Sequence, residues 1–356
     1  MKILQVMPFF GLGGAEIMCE NLVYELIKLG HKVVIISLYN EETPITKRFK
    51  EKGIKIKFLD KKEGFDFSLY KKLWKVFKKE KPDVIHTHLY VTKYVFPIAT
   101  LLKIKVIHTV HNVASEEATK FSRIFNNIFF KNFNVIPVAL SKNIQQTIVK
   151  EYHLDKENIP IVLNGIDLSK FHKKETYDRK QFFNIVHVGS FKKAKNHIGM
   201  IDAFSVMHNK YKDCRLHLIG DGEGKKEIEQ IVKEKKLSEY VIFYGLQEDV
   251  NNFLKDMDIF TLPSLYEGIP ISIIEAMGTG LPIVASNVGG IPNMLDFDSA
   301  LLIPVNCEAL VEAWEKYYLD YELRKLHGEK VIKLSGKFSS EKMAEEYINI
   351  YFNFRR

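Results

Sequence analysis

An alternation restricts the fold of this chain more than anything else in it: short apolar runs of strand length, separated by stretches with helical spacing. Lys2–Met7, Lys32–Leu38, Ile54–Leu59, Val84–Thr87, Val106–Val110 and Val135–Leu140 read as buried strands. Between the first two, Ile17, Leu22, Leu26 and Leu29 fall at roughly helical intervals, and Gly30 follows as a C-cap. Strands alternating with helices imply βαβ units and a parallel sheet.

The pattern restarts after the polar stretch Leu168–Gln181, which carries Lys170, Lys173, Lys174, Arg179 and Lys180. Phe183–Val188, Arg215–Ile219, Val241–Phe243, Ile259–Leu262 and Ile283–Ala285 are the next strands, with helices such as Lys225–Lys235 between them. At 356 residues the chain exceeds the size at which one core usually stops growing, about 250–300 residues. The expected fold class is therefore α/β: two Rossmann-like, doubly wound parallel-sheet domains facing across a cleft, with ligands at the carboxyl ends of the strands. The expected boundaries are residues 1–168, a linker at 169–181 and a second domain at 182–338. A last helix at 339–356 should pack back on the first domain; Ser339 or Ser340 can cap it, and Met343, Tyr347, Ile350 and Tyr351 share one face.

Composition excludes several classes. Hydrophobic residues make up 46% and charged residues 27%, which rules out a disordered or fibrous chain. Cys19, Cys214 and Cys307 fit neither a disulfide framework nor a clustered metal spacing, so a reduced, cytoplasmic setting is expected. No secretory leader is expected from the opening residues, since Gln5 and Pro8 break the apolar run. The longest uncharged run, Ala276–Leu295, holds four glycines and two prolines and reads as loops around one short strand, not a membrane helix. The net charge of +8 divides into +10 over residues 1–170 (27 Lys and Arg against 17 Asp and Glu) and −2 over the rest (25 against 27). The basic half suggests an anionic partner. Lys71, Lys72, Lys75, Lys78 and Lys79 occupy one face of a helical stretch whose Tyr70, Leu73, Trp74 and Phe77 occupy the other. That face is either a solvated surface or a contact for an anionic membrane. Nucleic acid is not expected, because no binding module is visible.

Three loops carry candidate chemistry. Phe10-Gly11-Leu12-Gly13-Gly14 follows the first strand and opens a helix, as a phosphate loop would. Its GxGG spacing is not the dinucleotide fingerprint, and a tight turn explains the glycines equally well. Val188-Gly189-Ser190-Phe191-Lys192-Lys193-Ala194-Lys195 puts lysines at a strand end, where they can reach a phosphate or simply face solvent. In Leu262–Met277, Glu267 precedes a helix that starts near Pro270, and Glu275 lies within it. Free helix N–H groups can hold an anion, and the two carboxylates can accept bonds from vicinal sugar hydroxyls or act as acid and base. His86, His88, His108 and His111 end two strands without a cysteine; strand-end packing is the plainer reading than a zinc cluster. Asp256-Met257-Asp258 has the form of a metal-binding DxD, but Asp258 enters a strand.

Glu267 and Glu275, with seven residues between them in PSLYEGIPISIIEAMGTGLPIVAS, resemble the family-four retaining glycosyltransferases of GT-B fold. The resemblance extends through GGAE at Gly13–Glu16, DVIHTH at Asp83–His88, HTVHN at His108–Asn112, NGID at Asn164–Asp167, VGSFKKAKNH at Val188–His197 and LIGDGEGKKEIE at Leu218–Glu229. It implies that Glu275 accepts bonds from the nucleotide ribose. Glu267 would hold the transferred sugar, with the backbone of Gly268, Ile269 and Pro270 near sugar and phosphate. Lys195 would neutralise the leaving diphosphate, and His111 would lie beside the reacting sugar. Gly13 and Gly14 would pass close to phosphate or acceptor, Ser190 would line the donor loop, and Gly245 would begin the loop cradling the base. Two positions depart from the family pattern: Ser190 stands where arginine is common, and Asn293 stands where GG-x-x-E has its acid.

The resemblance implies transfer of a sugar from a nucleotide-sugar donor, UDP-linked first, to a glycan or lipid-linked acceptor in surface polysaccharide assembly. It implies no metal and no other cofactor. The cysteines point to a cytoplasmic protein, and the basic first half to a peripheral place on the inner membrane face. A GT-B nucleotide-sugar epimerase and a weakly active partner subunit that binds sugar nucleotide remain as alternatives. A nicotinamide oxidoreductase is disfavoured by the glycine spacing.

Overall fold

The computed structural model describes residues 1–117, 119–179 and 181–353. The chain forms two units: Met1–Ile166 with Ser340–Arg356, and Asp167–Ser339. Lys180 and residues 354–356 of the expected last helix lie outside the described residues.

In the first unit, β1 (Lys2–Met7), β2 (Lys32–Ser37), β3 (Lys55–Phe58), β4 (Val84–His88), β5 (Lys105–Val110) and β6 (Val135–Ala139) build one sheet in the order β3-β2-β1-β4-β5-β6. Every pairing is parallel. The helices are α1 (Gly14–Lys28), α2 (Pro44–Glu51), α3 (Ser68–Glu80), α4 (Thr92–Leu101), α5 (Ala114–Glu117), α6 (Lys120–Asn132) and α7 (Lys142–Tyr152). Side chains alternate across the sheet. Leu4, Val6, Val34, Ile36, Ile85, Val106 and Val110 meet Leu73, Phe77, Tyr94, Phe96, Phe130 and Ile148 from α3, α4, α6 and α7. Gln5, between Leu4 and Val6, turns to the other face. Both faces are covered, which is why these strands read as continuous apolar runs.

In the second unit, β7 (Phe183–Val188), β8 (Cys214–Ile219), β9 (Val241–Gly245), β10 (Ile259–Leu262), β11 (Ile283–Ser286) and β12 (Leu301–Ile303) form a second parallel sheet, in the order β12-β11-β10-β7-β8-β9. Its helices are α8 (His197–Lys210), α9 (Lys225–Glu234), α10 (Asn251–Leu254), α11 (Ile271–Thr279), α12 (Cys307–Leu319) and α13 (Tyr321–Ser335). The last helix, α14 (Ser340–Asn353), belongs to the first unit. Its entry is fixed by the Ser340 N–H donating to the Ile166 carbonyl, 2.9 Å. Lys105 donates to the carbonyls of Ile350 and Tyr351 at its far end, 2.6 and 3.0 Å, where a cation suits the helix dipole.

Two sequence expectations change. β12 was not expected: three residues are too few for a periodic signal, and its pairing with β11 supplies the register. The stretch 169–181 was expected to link the domains, yet its described residues pack into the second unit. The Lys174 N–H reaches the Thr279 carbonyl at 2.8 Å, and the Tyr177 hydroxyl reaches that of Gly280 at 3.0 Å. Arg324 donates to the Tyr177 carbonyl, and a Cβ on Gly328 would lie 2.3 Å from the Tyr177 ring. A polar sequence thus carries one buried tyrosine that anchors it.

Candidate functional site

The loops at the carboxyl ends of β7 to β10 are held together by glycines where backbones meet. The Gly189 N–H donates to the Ile219 carbonyl and the Gly220 N–H to that of Gly245, 3.0 and 2.8 Å, tying three strand ends in a row. Gly220 has φ +139°, and a Cβ there would lie 2.1 Å from the Gly189 carbonyl oxygen. Beneath Gly189, the His187 Nδ1–H donates to the Thr261 carbonyl at 3.0 Å, so Nε2 is the bare acceptor. Burial holds this imidazole neutral, its pKa well below the ordinary value.

The loop after β7 turns through Lys193–Lys195 and delivers Lys195 to Glu267. Lys195 Nζ lies 2.5 Å from Glu267 Oε1, and the Ser264 hydroxyl donates to the same oxygen at 2.6 Å. The two loops are bound along their backbones as well, by the Leu265 N–H on the Ala194 carbonyl, 2.8 Å. Behind Glu267 lie Gly289 and Gly290, where a Cβ would come within 1.9 and 2.1 Å of the Glu267 and Gly268 carbonyl oxygens. The glycine pair therefore lets the loop that carries Glu267 sit down on its neighbour. Asn293 follows in a short turn, its amide 3.5 Å from the Gly290 carbonyl.

Ile269 and Pro270 are buried and lead into α11. Pro270 is the N-cap of that helix, not its first residue, and no side chain caps it. Glu275 lies in the second turn and is 9% exposed. Its carboxylate has no hydrogen-bond donor among the described residues. Burial, with Asp249 nearby as a lesser cause, raises its pKa to about 7. Carboxylates eight positions apart thus differ in kind: Glu267 is paired with a cation, and Glu275 is buried without one. Ser190 lies in the first loop, its carbonyl accepting from the Lys192 N–H at 2.7 Å. Gly245 takes φ +69°, beyond the reach of most side chains.

The first unit holds the remaining candidates. Gly13 is the N-cap of α1, and a Cβ there would meet a Glu16 carboxylate oxygen at 2.5 Å, so the glycine has a local packing reason. Gly14 is exposed at the first helical position. His111 lies just past β5. Glu117, from α5, accepts the His111 and Asn112 N–H groups at 3.2 and 2.9 Å, and burial raises its own pKa to about 7.

The His111 ring is held by a buried relay. His88 Nε2 lies 2.9 Å from Gln5 Oε1 and must donate to it. In a neutral ring Nδ1 then accepts, and it does so from His111 Nε2 at 3.1 Å. His111 is left with an unprotonated Nδ1, and burial lowers its pKa to about 3. His86 accepts from the Tyr351 hydroxyl at Nδ1 and donates through Nε2 to Thr109, 2.7 Å each. Thr109 in turn bonds Tyr347, 2.7 Å, so α14 is welded to this face of the sheet. His108 stands on the opposite face, against Phe96 and Phe130. His86, His88 and His111 thus lie together while His108 stands apart, and among the described residues no group of three or more His, Cys, Asp or Glu side chains is arranged for a metal ion. Asp258 is occupied at the other end of its sheet, accepting from the Asn184 N–H at 2.7 Å.

Sequence reasoning missed Ser264, Glu117, Asp249 and the Gln5–His88 relay. Ser264 alone left a local signal, a hydroxyl three positions before Glu267.

The family model described as Glycosyl transferases group 1 matches residues 169–333, and that described as Glycosyltransferase Family 4 matches residues 12–170. The chain is 28% identical over 301 residues to the UDP-Gal:alpha-D-GlcNAc-diphosphoundecaprenol alpha-1,3-galactosyltransferase of Escherichia coli, covering 79% of this chain and 78% of that one. It is 26% identical to the N-acetyl-alpha-D-glucosaminyl L-malate synthase of Bacillus anthracis, over 97% and 95% of the two chains. Among solved structures it resembles Anabaena HepE in complex with UDP-glucose, with TM-score 0.88 at 17% identity, covering 99% of this chain and 100% of that one. That likeness shows the GT-B fold.

Proposed function

The chain belongs to the group 1, family-four glycosyltransferases, and from that premise we propose a retaining transfer of a sugar from a UDP-sugar to a glycan or lipid-linked glycan in surface polysaccharide assembly. The observation that carries the reading is Glu275: a nearly buried carboxylate without a donor, one helical turn past an N-terminus that no side chain caps. Two vicinal ribose hydroxyls would supply the missing hydrogen bonds. Glu267 would hold hydroxyls of the transferred sugar, and Gly268, Ile269 and Pro270 would bring backbone groups close to it. The base would sit in the loop that starts at Gly245, with Ser190 along the donor.

Breaking the sugar–phosphate bond leaves negative charge on the diphosphate and positive charge on the ring. Lys195, released from Glu267 when the donor enters, and the start of α11 would stabilise the first. The departing phosphate oxygen would take the proton of the attacking acceptor hydroxyl on the face the leaving group vacates. The new glycosidic bond then keeps the configuration of the old one, and no metal or protein base is needed. His111 would accept a hydroxyl of the reacting sugar through its bare Nδ1, and Gly13 and Gly14 would border phosphate or acceptor.

The donor preference is supported by the UDP-Gal in the E. coli relative's name and the UDP-glucose bound to the Anabaena protein; the lipid-linked acceptor is supported by the former. Among the described residues no helix is long and apolar enough to cross a membrane. The reading places the chain in the cytoplasm, where nucleotide sugars are made, peripheral on the inner membrane face. A thermal-shift screen of nucleotide sugars tests it, because a ligand of the folded state raises its stability. UDP and at least one UDP-sugar should raise the melting temperature, and slow hydrolysis of that sugar should follow. A screen in which no nucleoside diphosphate shifts the transition would defeat the proposal.

A further inference from the structure

Helix α6 carries apolar residues on both of its sides, with Phe125, Phe129 and Phe130 packed on the core and a second set left outside. Its inner face buries Phe130 against Phe96 and also buries a polar residue, Asn126. Its outer face presents Phe121, Ile124 and Ile128, 71%, 66% and 50% exposed. Spacings of three and four residues put them in one stripe along the helix. Scattered exposed hydrophobics are ordinary, but three aligned on one helix ask for a covering partner.

The charges around the stripe choose that partner. From Lys120 to Asn134 the chain has no acidic residue. Lys120 and Lys131 are exposed near the two ends of the stripe, while Arg123 turns away to Glu151 and the Ser115 carbonyl. The core places α3, α4 and α6 on the same side of the sheet. Lys71, Lys75 and Lys79 of α3 are exposed there, whereas Lys72 is drawn to the Leu59 carbonyl and Lys78 lies over the Trp74 ring. An apolar stripe on a helix that carries cations and no acid of its own is the pattern of a helix that lies in a membrane interface. A second copy of this chain would bring the same cations against themselves.

We propose that the outer face of α6 docks on an anionic phospholipid bilayer, with Phe121, Ile124 and Ile128 entering the boundary between headgroups and acyl chains and the α3 lysines adding attraction at longer range. The inference rests on the peripheral placement proposed above and names the surface that achieves it. It also shifts the principal contact from the lysine face of α3, which sequence pointed to, onto α6.

The test is sedimentation of the full chain with vesicles of phosphatidylglycerol and phosphatidylethanolamine, against vesicles of phosphatidylcholine alone. The wild type should partition to the anionic vesicles, and the triple variant Phe121→Ser, Ile124→Ser, Ile128→Ser should partition at least tenfold less. These side chains are exposed, so the thermal transition should be unchanged. In a separate Phe121→Trp variant, lipids brominated in their acyl chains should quench the new fluorophore. Equal partitioning of wild type and triple variant, or bound vesicles without quenching, overturns the proposal. So does a wild type that ignores vesicles but dimerises in the ultracentrifuge while the triple variant stays monomeric, since the stripe would then join two copies. Calorimetry with UDP reads the donor site independently, so a failed docking surface and a failed functional assignment give different results.

Discussion

Glu275→Gln should make the free protein more stable and the nucleotide complex weaker, and both effects can be sized. The carboxyl has a pKa of about 7 in the fold against 4.5 for an ordinary glutamate. Between these values the native state holds a proton that the unfolded chain has released, so stability falls as pH rises through the window. A gap of about 2.5 units at 1.36 kcal/mol each is a cost of about 3 kcal/mol above pH 7, of which about 2.5 kcal/mol accrues between pH 5 and pH 8. Glutamine stays neutral throughout. The variant should thus gain stability over the wild type by about 2–3 kcal/mol on going from pH 5 to pH 8, which denaturant titration at the two values measures. Ribose hydroxyls prefer the ionised form, so UDP binding should expel the proton. Wild-type calorimetry at pH 6 in buffers of different ionisation enthalpy should show release of nearly one proton, a release absent in the variant. Losing charged acceptors worth roughly 1.5–3 kcal/mol should also weaken UDP binding by at least tenfold in the variant. Equal pH dependence of stability in the two proteins, or equal UDP affinity, would refute the reasoning.

Glu267→Ala should lower turnover more than UDP affinity, because it frees Lys195 and Ser264 and removes the sugar contact; equal losses in both would remove Glu267 from the sugar. Lys195→Ala should cost about 10²–10³ in kcat, the scale of one preorganised group facing developing charge, and a loss below threefold in steady-state assays would count against the assigned role. Saturating EDTA should leave initial rates within about twofold, whereas loss of a catalytic ion would remove several kcal/mol of stabilisation; a collapse restored by magnesium or manganese would contradict the metal-free reading. Nitrogen-15 spectra should show His111 neutral from pH 5 to 8, as a pKa of about 3 requires, with the proton on Nε2. His88→Phe should mix the tautomers and lower kcat while sparing UDP affinity, and a wild-type His111 carrying its proton on Nδ1 would break the relay argument.

What the sequence determined was everything set by local pattern. Consecutive apolar residues fixed the strands of both sheets apart from β12, because burial on both faces leaves a signal within a single run. The glycines and proline around Glu267 marked a strand-to-helix turn, and the spacing to Glu275 put the second acid inside the helix. The Gly13-Gly14 turn opened α1 where expected.

Tertiary structure decided which of these groups meet. Lys195 and Glu267 are 72 positions apart and become an ion pair only because β7 and β10 are neighbours in the sheet. Tyr351 finds His86 across 265 positions because α14 returns to the first unit. Periodicity tells that a helix has an apolar face, not which face the core takes. In α6 both sides carry phenylalanine, and packing against Phe96 chose the inner one and left Phe121 outside. Protonation belongs to the same class. Glu267 and Glu275 are identical in the chain, and only the presence of Lys195 beside one and the burial of the other make them chemically different, since a charge is stabilised by what surrounds it in space and not by its neighbours in sequence.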